Sequence, residues 1–434
     1  MQLRSTVAFA GAILCSVSTS VVFAQSVQRA PVTPRYFWRG LGTPAGAMAR
    51  SWVTSVSPDG RLIMGIQVGA TTSGIFATEP WGVGRIPIQP PSGVGAPLSI
   101  AACDNAALMS GVWNSGVPFV TARTAIASGG GAWTIINDLL QPSFSNLSVG
   151  SMSADGTVFQ TGVIDNATNT FKDFVYFNGN LIDINAALSA SLGITVLNAI
   201  VTDVAAYRRV CVGGCRLNGV APRAFSYDLV AQTATILPNV IGGFTEPWDA
   251  SVSGDGIVTT VTWVDFFTTQ SAAVRHIDNG NGVTSQILLP LGPASSPGRF
   301  VPNETGHVIA GDDPASGAVL WTDGIPTTIT SLTVSAASPP AFLSLGGVSD
   351  MSAFDVVVGT GLNTAGRMEG WIARVPSKRI RSDFNRDGIC QQQQDLFEFN
   401  SSFAAGNLAA DWDYDTVLTP IDQALFNADW SACR

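Results

Sequence analysis

Asp383, Asn385 and Asp387 stand at every second position, with Gly388 directly after them, and Asp411, Asp413 and Asp415 repeat the alternation downstream. Carboxylates two residues apart repel unless a cation lies between them, and a hard cation such as Ca2+ is held by oxygens from alternate loop positions. In a calcium loop of the twelve-residue type, positions 1, 3 and 5 supply side-chain oxygens and position 7 a carbonyl. Position 9 follows, often through water, and position 12 closes the site with a carboxylate. The second run fits by count: Asp411, Asp413, Asp415, the Val417 carbonyl, Thr419 and Asp422, with Thr416 where glycine is wanted. The first supplies Asp383, Asn385, Asp387, the Ile389 carbonyl and Gln391, with Gly388 in place. Its twelfth position is Gln394, so Asp395 can close the loop only with one extra residue. The expected cofactor is calcium.

Other chemistry-bearing residues are sparse. The two histidines, His276 and His307, sit in strand-like contexts without a Gly-x-Ser-x-Gly elbow, so structural roles are expected for both. Glu246, Asp249, Asp265, Asp312 and Asp313 lie between strands, where a pair could serve glycoside hydrolysis if the fold made them converge. Trp248 and Trp263 beside them could stack on sugar rings or pack inside. The residues therefore support a non-catalytic protein that binds a polymer or protein. The alternative is a carbohydrate-active enzyme, a glycoside hydrolase or polysaccharide lyase, with acids at the mouth of the fold.

These residues must be positioned by a β-rich scaffold. The chain has 434 residues, 46% hydrophobic and 12% charged, with 45 Gly and 24 Pro, a turn-rich composition with enough apolar content for a large core. Its net charge of −9 offers no footprint for nucleic acid or an anionic membrane. Residues 1–24 read as a signal peptide: Arg4, then an apolar stretch, then Val22-Phe23-Ala24 before Gln25. No later run is long enough to span a membrane. A secreted, extracellular protein is expected, with the periplasm or cell surface as other destinations, and its cysteines are free to oxidise. Cys390 and Cys433 lie together in the acidic tail and are expected to pair. Cys211 and Cys215 flank Gly213-Gly214, a hairpin signal that would bring them together, leaving Cys103 as a buried thiol.

A repeat of about fifty residues organises most of the chain. "SVSPDGRLIMG" (55–65), "SMSADGTVFQTG" (151–162) and "SVSGDGIVTTV" (251–261) share a short strand, an Asp-Gly turn and a β-branched strand. Weaker copies complete the series, with turn markers at 59, 104, 155, 206, 255, 305 and 353. An aromatic-bearing third strand and a short fourth follow in most units, the pattern of propeller blades. The seventh unit lacks a fourth strand, and "RYFWRGLG" (35–42) precedes the first as a spare one. The expected fold is all-β: a seven-bladed propeller over 35–375 closed by that N-terminal strand, a linker at 376–382, and a small helical domain at 383–434. That last segment carries nine acids against two arginines, a net −7.

The units resemble the HAF-type extracellular repeat family, most closely in "LGTPAGAMARSWVTSVSPDGRLIMG", which supports the propeller and export. The tail, "DFNRDG…DLFEF" above all, resembles a type I dockerin, in which two EF-hand-type calcium loops each run into a helix. Here those helices would pack through Leu396, Phe397, Phe399, Leu425, Phe426 and Trp430. The dockerin resemblance implies a cohesin-like protein partner.

Overall fold

In the computed structural model the described residues are 37–44, 49–58, 60, 62–69, 73–78, 86–88, 97–103, 108–113, 120–125, 133–135, 144–244, 246–265, 270–278, 280, 282–288, 298–303, 305–313, 316–322, 324–335, 342–352, 355–375, 393–405, 410 and 418–432. The proposed signal peptide, the linker, Cys390 and Cys433 lie outside them.

The fold is an all-β propeller with few helices. Six regular blades of four antiparallel strands follow in chain order: blade 1 (50–88), blade 2 (97–135), blade 3 (144–183), blade 4 (196–237), blade 5 (246–288) and blade 6 (300–328). A seven-bladed ring was expected; six blades are found, and the seventh unit departs from the pattern. Its sheet has six strands. Gly346-Gly347, with Gly347 at φ 55°, break the first strand into Phe342–Ser344 and Val348–Met351, and both pieces pair with Val356–Asn363. Met368–Arg374 follows, and on its free edge lies the N-terminal strand Phe37–Gly40, antiparallel, with Phe37 opposite Arg374 and Gly40 opposite Trp371. Val334–Ser335 then adds in parallel to Phe37–Gly40. This composite sheet packs against blade 6 on one side and blade 1 on the other. Buried Glu369 fastens the joint: its Oε1 accepts the Gly42 N–H at 2.8 Å and its Oε2 accepts from Asn363 Nδ2 at 2.9 Å.

The repeated Ser-x-Asp-Gly turn has a local cause. Ser153 Oγ donates to Asp155 Oδ1 (2.7 Å) and accepts the Val158 N–H (3.0 Å), while Gly156 takes φ 64° to close the bend. Ser253, Asp255 and Val258 repeat it at 2.6 and 2.9 Å. Asn303 substitutes its side-chain oxygen for the hydroxyl in blade 6, where Val308 N–H reaches it at 3.3 Å. In the composite sheet Ser352 plays this part, and Asp355 carries the positive φ of 63° without being glycine.

Successive blades are latched by side chains that capture the next first strand. Asp173 of blade 3 accepts the Val201 N–H (2.7 Å), and Asp203 of blade 4 accepts that of Val252 (3.0 Å). Thr260 of blade 5 donates to the Phe300 carbonyl (2.5 Å). Asp312 of blade 6 accepts the Val348 N–H with both oxygens at 2.9 Å, and Asp350 of the composite sheet accepts that of Val56 (3.0 Å). Apolar clusters fill the spaces between sheets, including Trp263 with Val212 and Ala250 between blades 4 and 5.

Among the described residues four helices accompany the sheets: α1 (Ile184–Leu192), α2 (Ile329–Leu332), α3 (Gln393–Ala404) and α4 (Pro420–Ala432). Asp183 caps α1 by accepting from the Ala186 N–H, and Gly193 ends it in the left-handed region. α3 and α4 pack through a stack of Phe399 on Phe426, ring centres 3.9 Å apart, joined by Leu396, Leu425 and Trp430 as expected and also by Phe403, Ala410 and Leu418. Phe397 was assigned to that contact but is exposed, because it falls on the opposite side of α3.

Candidate ligand-binding cleft

Two glycines and a proline open a cleft between blades 4 and 5. The strand Val210–Leu217 crosses close to its neighbour, and a Cβ on Gly213 would run into the Ile200 carbonyl. Gly214 leaves space on the other face, where a Cβ would stand 3.3 Å from Pro247 Cγ. Pro247 follows Glu246 at the start of Glu246–Val252, and the register shifts between Pro247 and Asp249. Trp248 sits in that irregularity and is 57% exposed, whereas Trp263, on the regular strand opposite, is fully buried.

The cleft so formed has a volume of about 380 Å³. Glu246, Pro247 and Trp248 line it from blade 5, and Asn198, Ile200, Arg216 and Pro222 from blade 4. The Arg216 guanidinium meets Glu246 Oε1 at 3.3 Å across the gap. Cys215 also borders the cleft, but burial pushes its thiol up to about 11, so it stays protonated and unreactive. Sequence reasoning singled out Glu246 and Trp248 without joining them to Asn198 and Arg216, which come from a different repeat. The paired glycines are the signal the sequence offers, and they suggest a turn although they lie within a strand. Cys211 and Cys215 in fact lie four residues apart within one extended strand and are free thiols, so no hairpin brings them together.

The remaining acids named from the sequence are engaged elsewhere. Asp312 and Asp313 are neighbours on Val308–Asp313 and so point to opposite faces: Asp312 holds Val348, and buried Asp313 accepts the Ser316 N–H at 3.0 Å. They cannot converge as a catalytic pair. Asp265 ends the strand Val258–Asp265, opposite Gln270. Asp249 lies 3.6 Å from Arg299 Nε. Asp203 and Asp350 also bear electrostatically on this arginine, which protein surrounds although 34% of its side chain stays exposed. Burial raises all three carboxyls, Asp350 to about 6. His276 touches Ser285 Oγ through Nδ1 at 2.9 Å, but burial pushes it down to about 4, and its Nε2 has no hydrogen-bond partner. A neutral, poorly basic imidazole without an orienting carboxylate does not activate a serine. His307 lies on the turn between Asn303 and Val308.

Of the expected calcium ligands, Asp383, Asn385, Asp387, Ile389, Gln391, Asp411, Asp413, Asp415 and Val417 lie outside the described residues. Thr419, Asp422 and Asp395 are within them. Asp395 and Asp422 are both fully buried and each is the third residue of its helix, α3 and α4. Asp422 Oδ2 accepts the Thr419 N–H at 2.7 Å. These donors fit a hard cation. Among the described residues alone, no group of three His, Cys, Asp or Glu side chains could hold a metal ion, and no helix is long and apolar enough to cross a membrane.

No family model matches the chain, and no curated protein is similar to it. Among solved structures it is similar to oligogalacturonate lyase from Vibrio parahaemolyticus, 9% identical with a TM-score of 0.50, over 79% of this chain and 97% of the lyase. An oligogalacturonate lyase in complex with manganese gives the same figures. TolB from Acinetobacter baumannii aligns over 58% of this chain and 62% of its own length, at 12% identity and a TM-score of 0.38. The likeness to the lyases shows the β-propeller fold alone.

Proposed function

We propose that this is a secreted, non-catalytic binding protein whose propeller holds a polymer or protein ligand in the cleft beside Trp248. The exposed indole in a concave site of mixed polarity carries this reading. Of the acids that might have served hydrolysis, Asp312 latches a blade, Asp313 holds a turn, Asp249 pairs with Arg299 and Glu246 with Arg216, which weighs against the enzyme alternative. The composite sheet acts as the seventh member of a closed HAF-type ring. The dockerin-like tail binds Ca2+ through Asp383, Asn385, Asp387, Ile389, Gln391 and Asp395, and through Asp411, Asp413, Asp415, Val417, Thr419 and Asp422, and presents its helices to a cohesin-like partner. Calcium would screen the clustered carboxylates and couple loop closure to helix packing.

One experiment addresses both modules. The full chain is applied to immobilised polysaccharides and to a cohesin module, with calcium or with chelator, while released sugar ends are assayed. Retention on a polysaccharide without product release is expected, with cohesin capture only in calcium. At free calcium about a hundred times the dissociation constant, ligation adds roughly 2.7 kcal/mol to the tail's stability. Release of reducing or unsaturated ends would replace the binding role by the enzymatic one.

A further inference from the structure

The proposed binding role leaves the chemistry of the ligand open, and the walls of the cleft constrain it. Blade 5 presents a flat aromatic face, Trp248, beside Pro247. Blade 4 presents hydrogen-bonding groups, the exposed Asn198 amide and the Arg216 guanidinium, which Glu246 neutralises at 3.3 Å. A ligand that satisfies both walls needs one apolar ring face and a rim of hydroxyls, and it need not carry charge. Saccharide rings have this character, since their axial C–H groups lie against an indole while their edges hydrogen-bond. The volume of about 380 Å³ is near the lower end of the ~300–1,000 Å³ usual for ligand sites, enough for a short stretch of chain rather than a folded domain.

Charge then separates two kinds of saccharide. Among the described residues that line the cleft the cation is Arg216, and Glu246 already pairs with it. A polyuronate would meet the Glu246 carboxylate and would have to displace it to reach Arg216. We infer that the Trp248 cleft binds a neutral polysaccharide, with a sugar ring stacked on Trp248 and hydroxyls on Asn198 and the Arg216–Glu246 pair. This rests on the binding role proposed above.

The test is calorimetry of the full-length protein with cellohexaose, xylohexaose, mannohexaose, hexagalacturonate and an apolar peptide of similar length. At least one neutral hexaose should bind, insensitive to salt, while hexagalacturonate does not. Trp248→Ala should weaken that binding by about thirtyfold or more, as loss of a central aromatic contact does. Trp248→Phe keeps an aromatic face and should retain most of it; both variants should keep the parent's melting temperature because the side chain is exposed. Glu246→Gln leaves Arg216 unneutralised and should admit hexagalacturonate in a salt-sensitive manner, an effect a purely structural role for Glu246 would not produce. Binding of hexagalacturonate or peptide alone, if lost in Trp248→Ala, would overturn the neutral-saccharide assignment while keeping the cleft as a ligand site. Neutral binding that survives Trp248→Ala, or no binding to any probe, would overturn the inference outright.

Discussion

Asp173 shows how one side chain can serve the fold and set its response to pH. It is buried between blades 3 and 4, accepts from Val201 N–H and Gln160 Nε2, and burial pushes its carboxyl up to about 7. Asp312 and Asp350, which also latch blades, are pushed up to about 6 for the same reason. In the unfolded chain such carboxyls titrate near 4. The folded protein therefore holds protons that the unfolded chain releases, so this contribution is complete below about pH 4 and is lost as pH rises through 6 to 7. Melting temperature should fall between pH 5 and pH 8, with Asp173 accounting for on the order of a few kcal/mol. Asp173→Asn, which cannot ionise, should flatten that slope; an unchanged profile in calorimetry would remove Asp173 as its source. None of this was legible beforehand. An aspartate in "FKDFVYF" gives no sign that it faces the neighbouring blade, because the partner N–H lies in the next repeat.

The elements were far more readable, because their turns are local. Ser, Asp and Gly at fixed offsets form a hydrogen-bonded bend that needs nothing distant, so the repeat could be seen and its strands placed. Replacing Ser153 by Ala would leave the buried Val158 N–H without the hydroxyl it donates to and remove one of the donors to Asp155. A loss of about 1–3 kcal/mol is expected, measured by denaturant unfolding. Asn303→Ala should behave similarly in blade 6, where an amide performs the same task. The misread element was Val210–Leu217. Gly213-Gly214 between two cysteines looks like a hairpin tip, yet both glycines are paired on each side within a central strand. The glycines answer a close approach by Ile200 and by Pro247. Such demands come from neighbouring strands and blades, which local pattern cannot report. The candidate cleft was hidden for the same reason: its walls are contributed by separate repeats.

For the whole molecule, the unfinished seventh unit and the spare N-terminal strand were both visible, and the antiparallel pairing of Phe37–Gly40 with Met368–Arg374 joins them. The extra parallel strand Val334–Ser335 and the broken first strand were not, since both depend on how the composite sheet packs against blades 6 and 1. Removing residues 35–42 would strip one edge of Met368–Arg374, leave Glu369 buried without the Gly42 N–H, and expose the face under Trp38 and Leu41. Loss of cooperative unfolding, or a melting temperature lower by more than ten degrees or so, is expected in calorimetry. A truncated chain with the parent's melting temperature would show that the pairing adds nothing to stability.

That same pairing orders events in time. Leu41 donates its N–H to the Gly370 carbonyl, so a contact made by one of the earliest parts of the fold to emerge from the ribosome must wait for one of the last. The growing chain can complete blades one after another, but Phe37–Gly40 stays an unpaired, apolar β-edge until synthesis reaches Arg374. Pairing across such a span is slow, because the chain must surrender the entropy of a very large loop before the contact forms. During that interval the exposed edge can pair with a second copy. Newly made protein should thus be most prone to aggregate until Met368–Arg374 is in place, and covering Phe37–Gly40 until then should suppress it.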